Sequence, residues 1–237
     1  MSIYCSKIFT VLLIGIALLT AVSCSRVGNA IETVAAETRD NPADTPPIVS
    51  ATPIKTAKGE QTAVFAGGCF WGVEAVFEHI KGVRVVTSGY SGGAKQTADY
   101  ETVSGGETRH AEAVKITYDP AQISYEQLLK VFFAVAHDPT ELNRQGPDTG
   151  TQYRSAIFYA NDEQKRLAEN YVAELTKTKT FTKPIVTQIA RLEAFYQAED
   201  YHQDYLVRHP NEPYIVMHDQ PKVKNLRKRF PDLYVSK

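Results

Sequence analysis

The chain has 237 residues, of which 43% are hydrophobic and 22% charged, and its formal net charge is -1. This length supports one domain with a sizeable core, together with appendages. The near-neutral charge gives no electrostatic reason to expect a nucleic-acid partner. The one basic stretch, residues 222–229, is interpreted as the exposed face of a terminal helix.

The N-terminus has the pattern of an export signal. Lys7 precedes an apolar run over residues 8–22 that is too short to span a membrane comfortably. The small residues before Cys24 resemble the lipobox of bacterial lipoproteins, in which the cysteine is acylated, although Ala21 stands where leucine is commoner. We expect a signal peptide over residues 1–23 and a membrane-anchored lipoprotein of the bacterial cell envelope. Plain secretion and an uncleaved anchor are the alternatives.

Cysteine usage leaves one free thiol after this processing. Residues 24–59 are rich in Ala, Thr, Pro, Asn and Asp and are predicted to form a flexible tether. Cys5 leaves with the signal and Cys24 becomes a thioether, so Cys69 has no partner for a disulfide within the chain. A single leftover cysteine in an exported protein indicates a reactive thiol.

The remaining residues, 60–237, are predicted to form a single domain. Apolar periodicity and turn residues predict alternating strands and helices: a strand at 62–66, a helix from Phe70, a strand at 83–90, a loop at 91–109, a strand at 110–118, a helix at 124–137, a loop at 138–152 and a strand at 154–159. The order strand-helix-strand, strand-helix-strand is typical of ferredoxin-like folds. We therefore predict an α/β (α+β) fold, a two-layer α/β sandwich with a βαββαβ core.

Beyond this core, Asn161 is predicted to cap a long helix ending near Lys177, and an apolar strand follows at 185–190. The last segment, from Glu193, is dense in Tyr, His and Pro. It is predicted to be a long irregular C-terminal tail with a short helix at 198–206 and a final helix at 222–230.

Cys69 lies at the corner between the first strand and the first helix, directly after two glycines. Helix-start amides favour a thiolate, so this position suits a nucleophile. Phe70 and Trp71 follow, and two large aromatic side chains here either belong to the core or wall an apolar pocket that faces the sulfur. The alternative is that Cys69 is an inert, buried, small apolar residue.

Glu112 is the candidate proton donor. Strand alternation places it on the same face as Val114 and Ile116, and burial at the end of that apolar stripe would raise its pKa. A raised pKa suits a general acid near neutral pH. The alternative is that this strand-end carboxylate turns to water.

Two polar loops supply further candidates for the same site. Tyr100 lies in the first, and Asp148 and Tyr153 lie in the second. A tyrosine hydroxyl is a neutral donor that can hold an oxygen atom without adding charge. Ordinary packing is the alternative for each tyrosine taken singly.

Other catalytic patterns are weaker. The sequence has neither standard phosphate-binding glycine loop and no GxSxG motif, and its six histidines lack metal-ligand spacing. A cysteine-histidine hydrolase would need His79 or His110 near Cys69, and nothing in the spacing favours them.

Several separate motifs resemble those of the A-type peptide methionine sulfoxide reductases. They are GCFWG at Cys69, DYETVSGGETRHAEAV around Glu112, RQGPDTGTQYRSAI around Tyr153 and AEDYHQDYL at Tyr201, and the likeness runs from about residue 62 to 234. The resemblance implies the two-layer α/β sandwich with a long tail.

The resemblance also implies roles for the candidate residues. Cys69 matches the family nucleophile and Glu112 the acid that protonates the sulfoxide oxygen. Phe70 and Trp71 match the aromatic walls that hold the substrate methyl group. The residues that match the hydrogen-bonding surroundings of the acid are Tyr100, Asp148 and Tyr153. The implied reaction reduces S-methionine sulfoxide in peptides and proteins, or free, through a sulfenic acid on Cys69.

The sequence departs from many family members, which carry resolving cysteines near the C-terminus. Residues 70–237 contain none. We therefore expect an external thiol reductant, either a thioredoxin-like protein or a small thiol. No bound cofactor is expected, and the histidine spacing and the single usable thiol predict no metal site. We expect the protein to be a monomer. Its expected partners are oxidised proteins and peptides that contain methionine sulfoxide. The rival functions are a non-catalytic, peptide-binding lipoprotein and a thiol hydrolase.

Overall fold

The computed structural model describes residues 59–237. The predicted signal peptide, the lipidation site at Cys24 and nearly all of the tether lie outside these residues. Among the helices that are described, none combines the length and the apolar character needed to cross a bilayer.

Eight strands and six α-helices make up the described region. The strands are β1 (Gln61–Ala66), β2 (Val83–Ser91), β3 (Ala111–Tyr118), β4 (Arg144–Gln145), β5 (Asp148–Thr149), β6 (Ala156–Tyr159), β7 (Gln188–Arg191) and β8 (Phe195–Gln197). The helices are α1 (Phe70–Glu78), α2 (Tyr100–Ser104), α3 (Tyr125–Val131), α4 (Asp162–Lys177), α5 (Tyr205–Arg208) and α6 (Gln220–Arg229).

The main sheet has the strand order β7-β6-β1-β3-β2-β8. Its four central strands, β6-β1-β3-β2, are antiparallel to their neighbours and are linked in the order βαββαβ, with α1 and α3 as the crossovers. This is the ferredoxin-like arrangement, so the predicted α/β fold is confirmed. β7 extends one edge in parallel to β6, and β8 extends the other edge antiparallel to β2.

Strand alternation divides the side chains of the sheet between two faces. In β1, Phe65 packs into the large core beneath the helices, whereas Val64 and Ala66 lie in a smaller apolar cluster on the other face. In β3, Val114 joins the large core in the same way and Ala113 the smaller cluster. The large core therefore lies between the sheet and the helices that pack on it.

Local departures from the predicted elements occur where the segments are short. Residues 91–109, predicted as a loop, contain α2, whose N-cap Asp99 accepts a hydrogen bond from the amide of Thr102. The predicted helix at 124–137 begins as α3 and continues as a π-helical segment, Phe132–Ala136. A five-residue helix and a three-residue strand such as β8 are too short for apolar periodicity to reveal.

Candidate active site

Cys69 sits at the turn between β1 and α1 and immediately precedes the helix. Gly68 has φ 89°, a left-handed conformation that favours glycine, and this allows the tight turn. The Cys69 side chain is only 8% exposed. The backbone amide of Trp71, in the first turn of α1, acts on the thiol to lower its pKa. The predicted position of the thiol at a helix start is therefore the observed one.

Glu112 lies on β3 with its side chain 3% exposed, so it does not turn to water. Its Oε2 accepts a hydrogen bond from the backbone amide of Phe70 at 3.0 Å, which ties the carboxyl group to the residue that follows Cys69. Burial raises the pKa of Glu112 to about 8, against the lowering effect of that amide, and the carboxylates of Asp148 and Asp219 add to the rise. Glu112 is therefore protonated at neutral pH.

The pKa of the Cys69 thiol is raised well above its ordinary value, chiefly by burial and then by the carboxyl groups of Glu112 and Asp219. The backbone amide of Trp71 and the charge of Lys222 act in the opposite direction, but their effects are smaller. The sequence predicted that the helix start favours a thiolate. In the structure, burial raises the pKa of the thiol by more than the helix-start amide lowers it. In the free protein the thiol and the acid both hold their protons.

These groups meet at a small pocket of about 220 Å³. Its walls are Cys69, Phe70, Trp71, Tyr100, Glu112, Asp148, Tyr153, Glu212 and Tyr214. All seven residues proposed from the sequence for catalysis or substrate binding are thus brought together, from two strands, three helical segments and their connections. A thiol, a protonated acid and aromatic walls in one small cavity suit a small polar group that carries an apolar substituent.

Two lining residues, Glu212 and Tyr214, were not singled out from the sequence. They come from the irregular tail before α6, where no periodic pattern locates a side chain. The Tyr214 hydroxyl donates a hydrogen bond of 2.5 Å to Asp148 Oδ2, which closes the pocket with the tail. Burial raises the pKa of Tyr214, and the neighbouring Cys69 and Asp148 add to the effect, so the hydroxyl stays neutral.

The indole of Trp71 is packed on two sides by tail residues. Tyr205 stacks on it with ring centroids 3.7 Å apart and an interplanar angle of 6°. Tyr214 meets it edge-on at 6.0 Å and 84°. These ring contacts hold the Trp71 wall in place.

Asp219 is a fully buried carboxyl group behind the first turn of α1. It packs against Gly72, where an added Cβ would lie 2.1 Å from Asp219 Oδ1, so only glycine fits there. Lys222 Nζ lies 3.1 Å from the same oxygen. Burial raises the pKa of Asp219, and Lys222 partly offsets the rise.

Neither histidine considered for a hydrolase lines the pocket. His79 Nδ1 lies 2.7 Å from the carbonyl oxygen of Ala75, and His110 Nδ1 accepts a hydrogen bond from the amide of Gly93 at 3.2 Å. Both rings are thus engaged in structural contacts. Within residues 59–237, no group of three or more histidine, cysteine or acidic side chains is arranged to hold a metal ion.

Two curated relatives are similar in sequence to this chain over more than three quarters of its length. A peptide methionine sulfoxide reductase of Mesorhizobium japonicum is 58% identical over 183 residues, covering 77% of this chain and 94% of its own. One from Synechocystis is 53% identical over 187 residues, covering 78% of this chain and 87% of its own.

Solved structures agree with this similarity. Mxr1 from Saccharomyces cerevisiae in its reduced form has a TM-score of 0.61 at 33% identity and covers 68% of this chain and 92% of its own. Methionine sulfoxide reductase A of Corynebacterium diphtheriae has a TM-score of 0.56 at 37% identity, over 65% of this chain and 77% of its own. The family model described as peptide methionine sulfoxide reductase matches residues 61–233. The chain therefore belongs to the peptide methionine sulfoxide reductase family and is an oxidoreductase.

Proposed function

We propose that this protein reduces the S epimer of methionine sulfoxide in peptides and proteins, with Cys69 as nucleophile and Glu112 as general acid. The observation that carries the proposal is the buried Glu112, protonated at neutral pH and hydrogen-bonded to the amide next to Cys69. A sulfoxide oxygen needs a proton to leave, and a carboxyl group with a pKa near 8 retains one to give. Family membership supports the reaction class.

In the proposed reaction the Cys69 sulfur attacks the electrophilic sulfur of the substrate. Glu112 gives its proton to the sulfoxide oxygen, and the thiol proton returns to Glu112. The protonated oxygen then passes to the Cys69 sulfur, as the S–O bond of the substrate and the transient bond between the two sulfur atoms both break. The products are a thioether and a sulfenic acid on Cys69, so the oxygen moves from one sulfur to the other. No other reagent is consumed in this half-reaction.

The aromatic walls and the hydroxyls have separate proposed roles. Phe70 and Trp71 seat the methyl group of the substrate, because an apolar pocket wall favours it. Tyr100 and Tyr153 hold the oxygen, since burial raises the pKa of both hydroxyls and keeps them neutral donors. Asp148 fixes the tail through its hydrogen bond from Tyr214.

The test is an assay of the full chain on a peptide that contains S-methionine sulfoxide, with dithiothreitol as reductant. We expect turnover of the S epimer and none of the R epimer, and complete loss in the Cys69→Ser variant. Turnover by Cys69→Ser equal to that of the wild type would reject the mechanism. Binding of the peptide without turnover would instead favour a binding module.

We further propose that the protein is exported and tethered as a monomer to the cell envelope through a lipid on Cys24. The support is the apolar run at residues 8–22 and the small residues that precede Cys24. Intact mass of the N-terminal peptide from a bacterial membrane fraction checks this proposal. A diacylated or triacylated Cys24 is expected, whereas an unmodified N-terminus would indicate plain secretion.

A further inference from the structure

His202 lies behind the pocket, in contact with several of its walls but outside its lining. It belongs to the short 3-10 segment Asp200–His202 of the tail, and its side chain is 1% exposed. Its ring centroid is 4.5 Å from that of Tyr100, 5.0 Å from that of Phe70 and 5.7 Å from that of Trp71. One imidazole therefore supports three residues that face the substrate.

The contact with Trp71 is a directed hydrogen bond. The indole Nε1 donates to His202 Nδ1 at 3.1 Å. An indole N–H is only a donor, so Nδ1 must be unprotonated and the proton of the neutral ring lies on Nε2. A second proton on Nδ1 would set two donors against each other and break this bond.

Glu199 supports the neighbouring wall from the same tail segment. Its Oε1 accepts a hydrogen bond from the backbone amide of Tyr100 at 2.9 Å, and its Oε2 accepts one from the hydroxyl of Tyr90 at 2.9 Å. His202 Nε2 lies 4.0 Å from the same Oε2. Among the described residues, Nε2 has no hydrogen-bond partner.

The surroundings favour the neutral ring. Burial lowers the pKa of His202 below 6.5, and the charge of Glu199 acts against that effect without reversing it. The other titratable groups that meet the ring are the phenols of Tyr100 and Tyr201. Burial raises the pKa of both, so neither carries charge at neutral pH.

We propose that His202 is a positioning residue that holds the Trp71 indole in its substrate-binding orientation, and that Glu199 holds Tyr100 beside it. This inference rests on the proposed function, since it concerns the pocket that seats the sulfoxide. His202 does not touch the substrate. It acts as a hydrogen-bond acceptor and a packed surface. Together with the ring contacts of Tyr205 and Tyr214, it limits rotation of the indole about its two side-chain torsions.

The decisive variant is His202→Leu in the full chain. A lost hydrogen bond and looser packing should raise KM for the S-sulfoxide peptide roughly five- to tenfold, with kcat within about twofold of the wild type. His202→Asn keeps an acceptor near the position of Nδ1, so its KM should be close to that of the wild type. An equal loss in both variants would mean that the acceptor is irrelevant and would overturn the proposal.

Trp71 is the only tryptophan in the chain, so intrinsic fluorescence reports its position without any turnover. In His202→Leu we expect emission at longer wavelength and stronger quenching by acrylamide, because the freed indole meets water. In the wild type, acidification should produce the same change with a midpoint below 6.5, as His202 gains a proton. His202→Asn should lack that transition.

His209→Leu is the matched control. This histidine is an exposed residue of the same tail, and its ring contacts Tyr205 at 4.3 Å rather than Trp71. It should leave KM and the acid transition of the emission unchanged. Unaltered emission and unaltered KM in His202→Leu would overturn the proposal. If no form of the protein reduces the sulfoxide, the proposed function fails, while the emission still decides whether His202 holds Trp71.

Discussion

At the residue scale, the site depends on two buried groups that both retain protons. The thiol of Cys69 and the carboxyl group of Glu112 are both desolvated, and the carboxyl group of Glu112 further raises the pKa of the thiol. This arrangement disfavours a free thiolate, but it keeps Glu112 in its neutral, protonated form, which can donate the proton that the proposed reaction needs. We therefore expect the Cys69 thiol to lose its proton only when the substrate binds. The bond that develops between the two sulfur atoms lowers the free-energy cost of removing that proton.

The first residue-scale prediction concerns Glu112→Gln. Loss of the proton donor should lower kcat by about two orders of magnitude with little change in KM, since the amide preserves shape. The ratio of the wild-type rate to the variant rate should fall as pH rises through about 8, because ionised Glu112 can no longer donate. A ratio independent of pH between 6 and 10 would reject the general-acid role.

At the element scale, α1 carries more than the nucleophile. Its first turn supplies Phe70 and Trp71 to the pocket, and its second and third turns carry two buried acids, Glu74 and Glu78. Lys237 Nζ lies 3.6 Å from Glu78 Oε1. The tail thus contacts both ends of the helix that positions Cys69, because Tyr205 packs on Trp71 at the other end.

The element-scale prediction concerns the pH dependence of stability. Burial and the carboxylate of Glu78 raise the pKa of Glu74 from 4.5 to about 8. Because the folded pKa lies above the unfolded one, the contribution of protonated Glu74 is complete below pH 4.5 and is lost as pH rises towards 8. We expect Glu74→Gln to become more stable than the wild type over that range, by on the order of a few kcal/mol.

Urea unfolding at several pH values measures this difference. The free energies of unfolding of the two proteins should converge near pH 4 and separate by pH 8. Glu163→Gln, an exposed acid in the first turn of α4, is the control. Because its hydrogen bonds with Arg166 lower the pKa of Glu163, it stays ionised and the variant should run parallel to the wild type from pH 6 to pH 8. Parallel curves for Glu74→Gln would show that this carboxyl group is not buried as described.

At the scale of the whole molecule, the chain has one thiol in the described region and no means of forming a disulfide there. The tail that closes the pocket contributes Tyr214 and Glu212 to its lining but no second cysteine. Under the proposed mechanism, we therefore expect a sulfenic acid on Cys69 to be reduced by two external thiols, which yields water, the free Cys69 thiol and an external disulfide.

The whole-molecule prediction is a single turnover in the absence of reductant. Excess S-sulfoxide peptide should yield one methionine per chain and leave Cys69 with one added oxygen, which dimedone traps and mass spectrometry detects. Addition of a thioredoxin or of a small thiol should restore multiple turnovers. Continued turnover without any thiol, or a disulfide to another cysteine of the chain, would contradict this prediction.

The sequence by itself determined the local order of the protein. The short apolar run of β1, the alternation of β3 and the capping residue of α4, Asn161, depend on neighbours along the chain, so their elements were predictable. The same local rules placed Cys69 at a helix start and Glu112 on an inward-facing strand position. Short elements such as α2 and β8 were not predicted, because they are too short to show an apolar period and depend on contacts with distant residues.

Only the tertiary structure decided what the site is. Tyr214 reaches Asp148 across 66 positions of sequence, and Trp71 reaches His202 across 131, so no spacing rule could join them. The raised pKa of Glu112 likewise depends on burial by elements far along the chain and on the carboxylates of Asp148 and Asp219. Solvation is a property of the assembled pocket. For this reason, the protonation states of Cys69 and Glu112 could be inferred only from the tertiary structure, in which the tail covers the pocket.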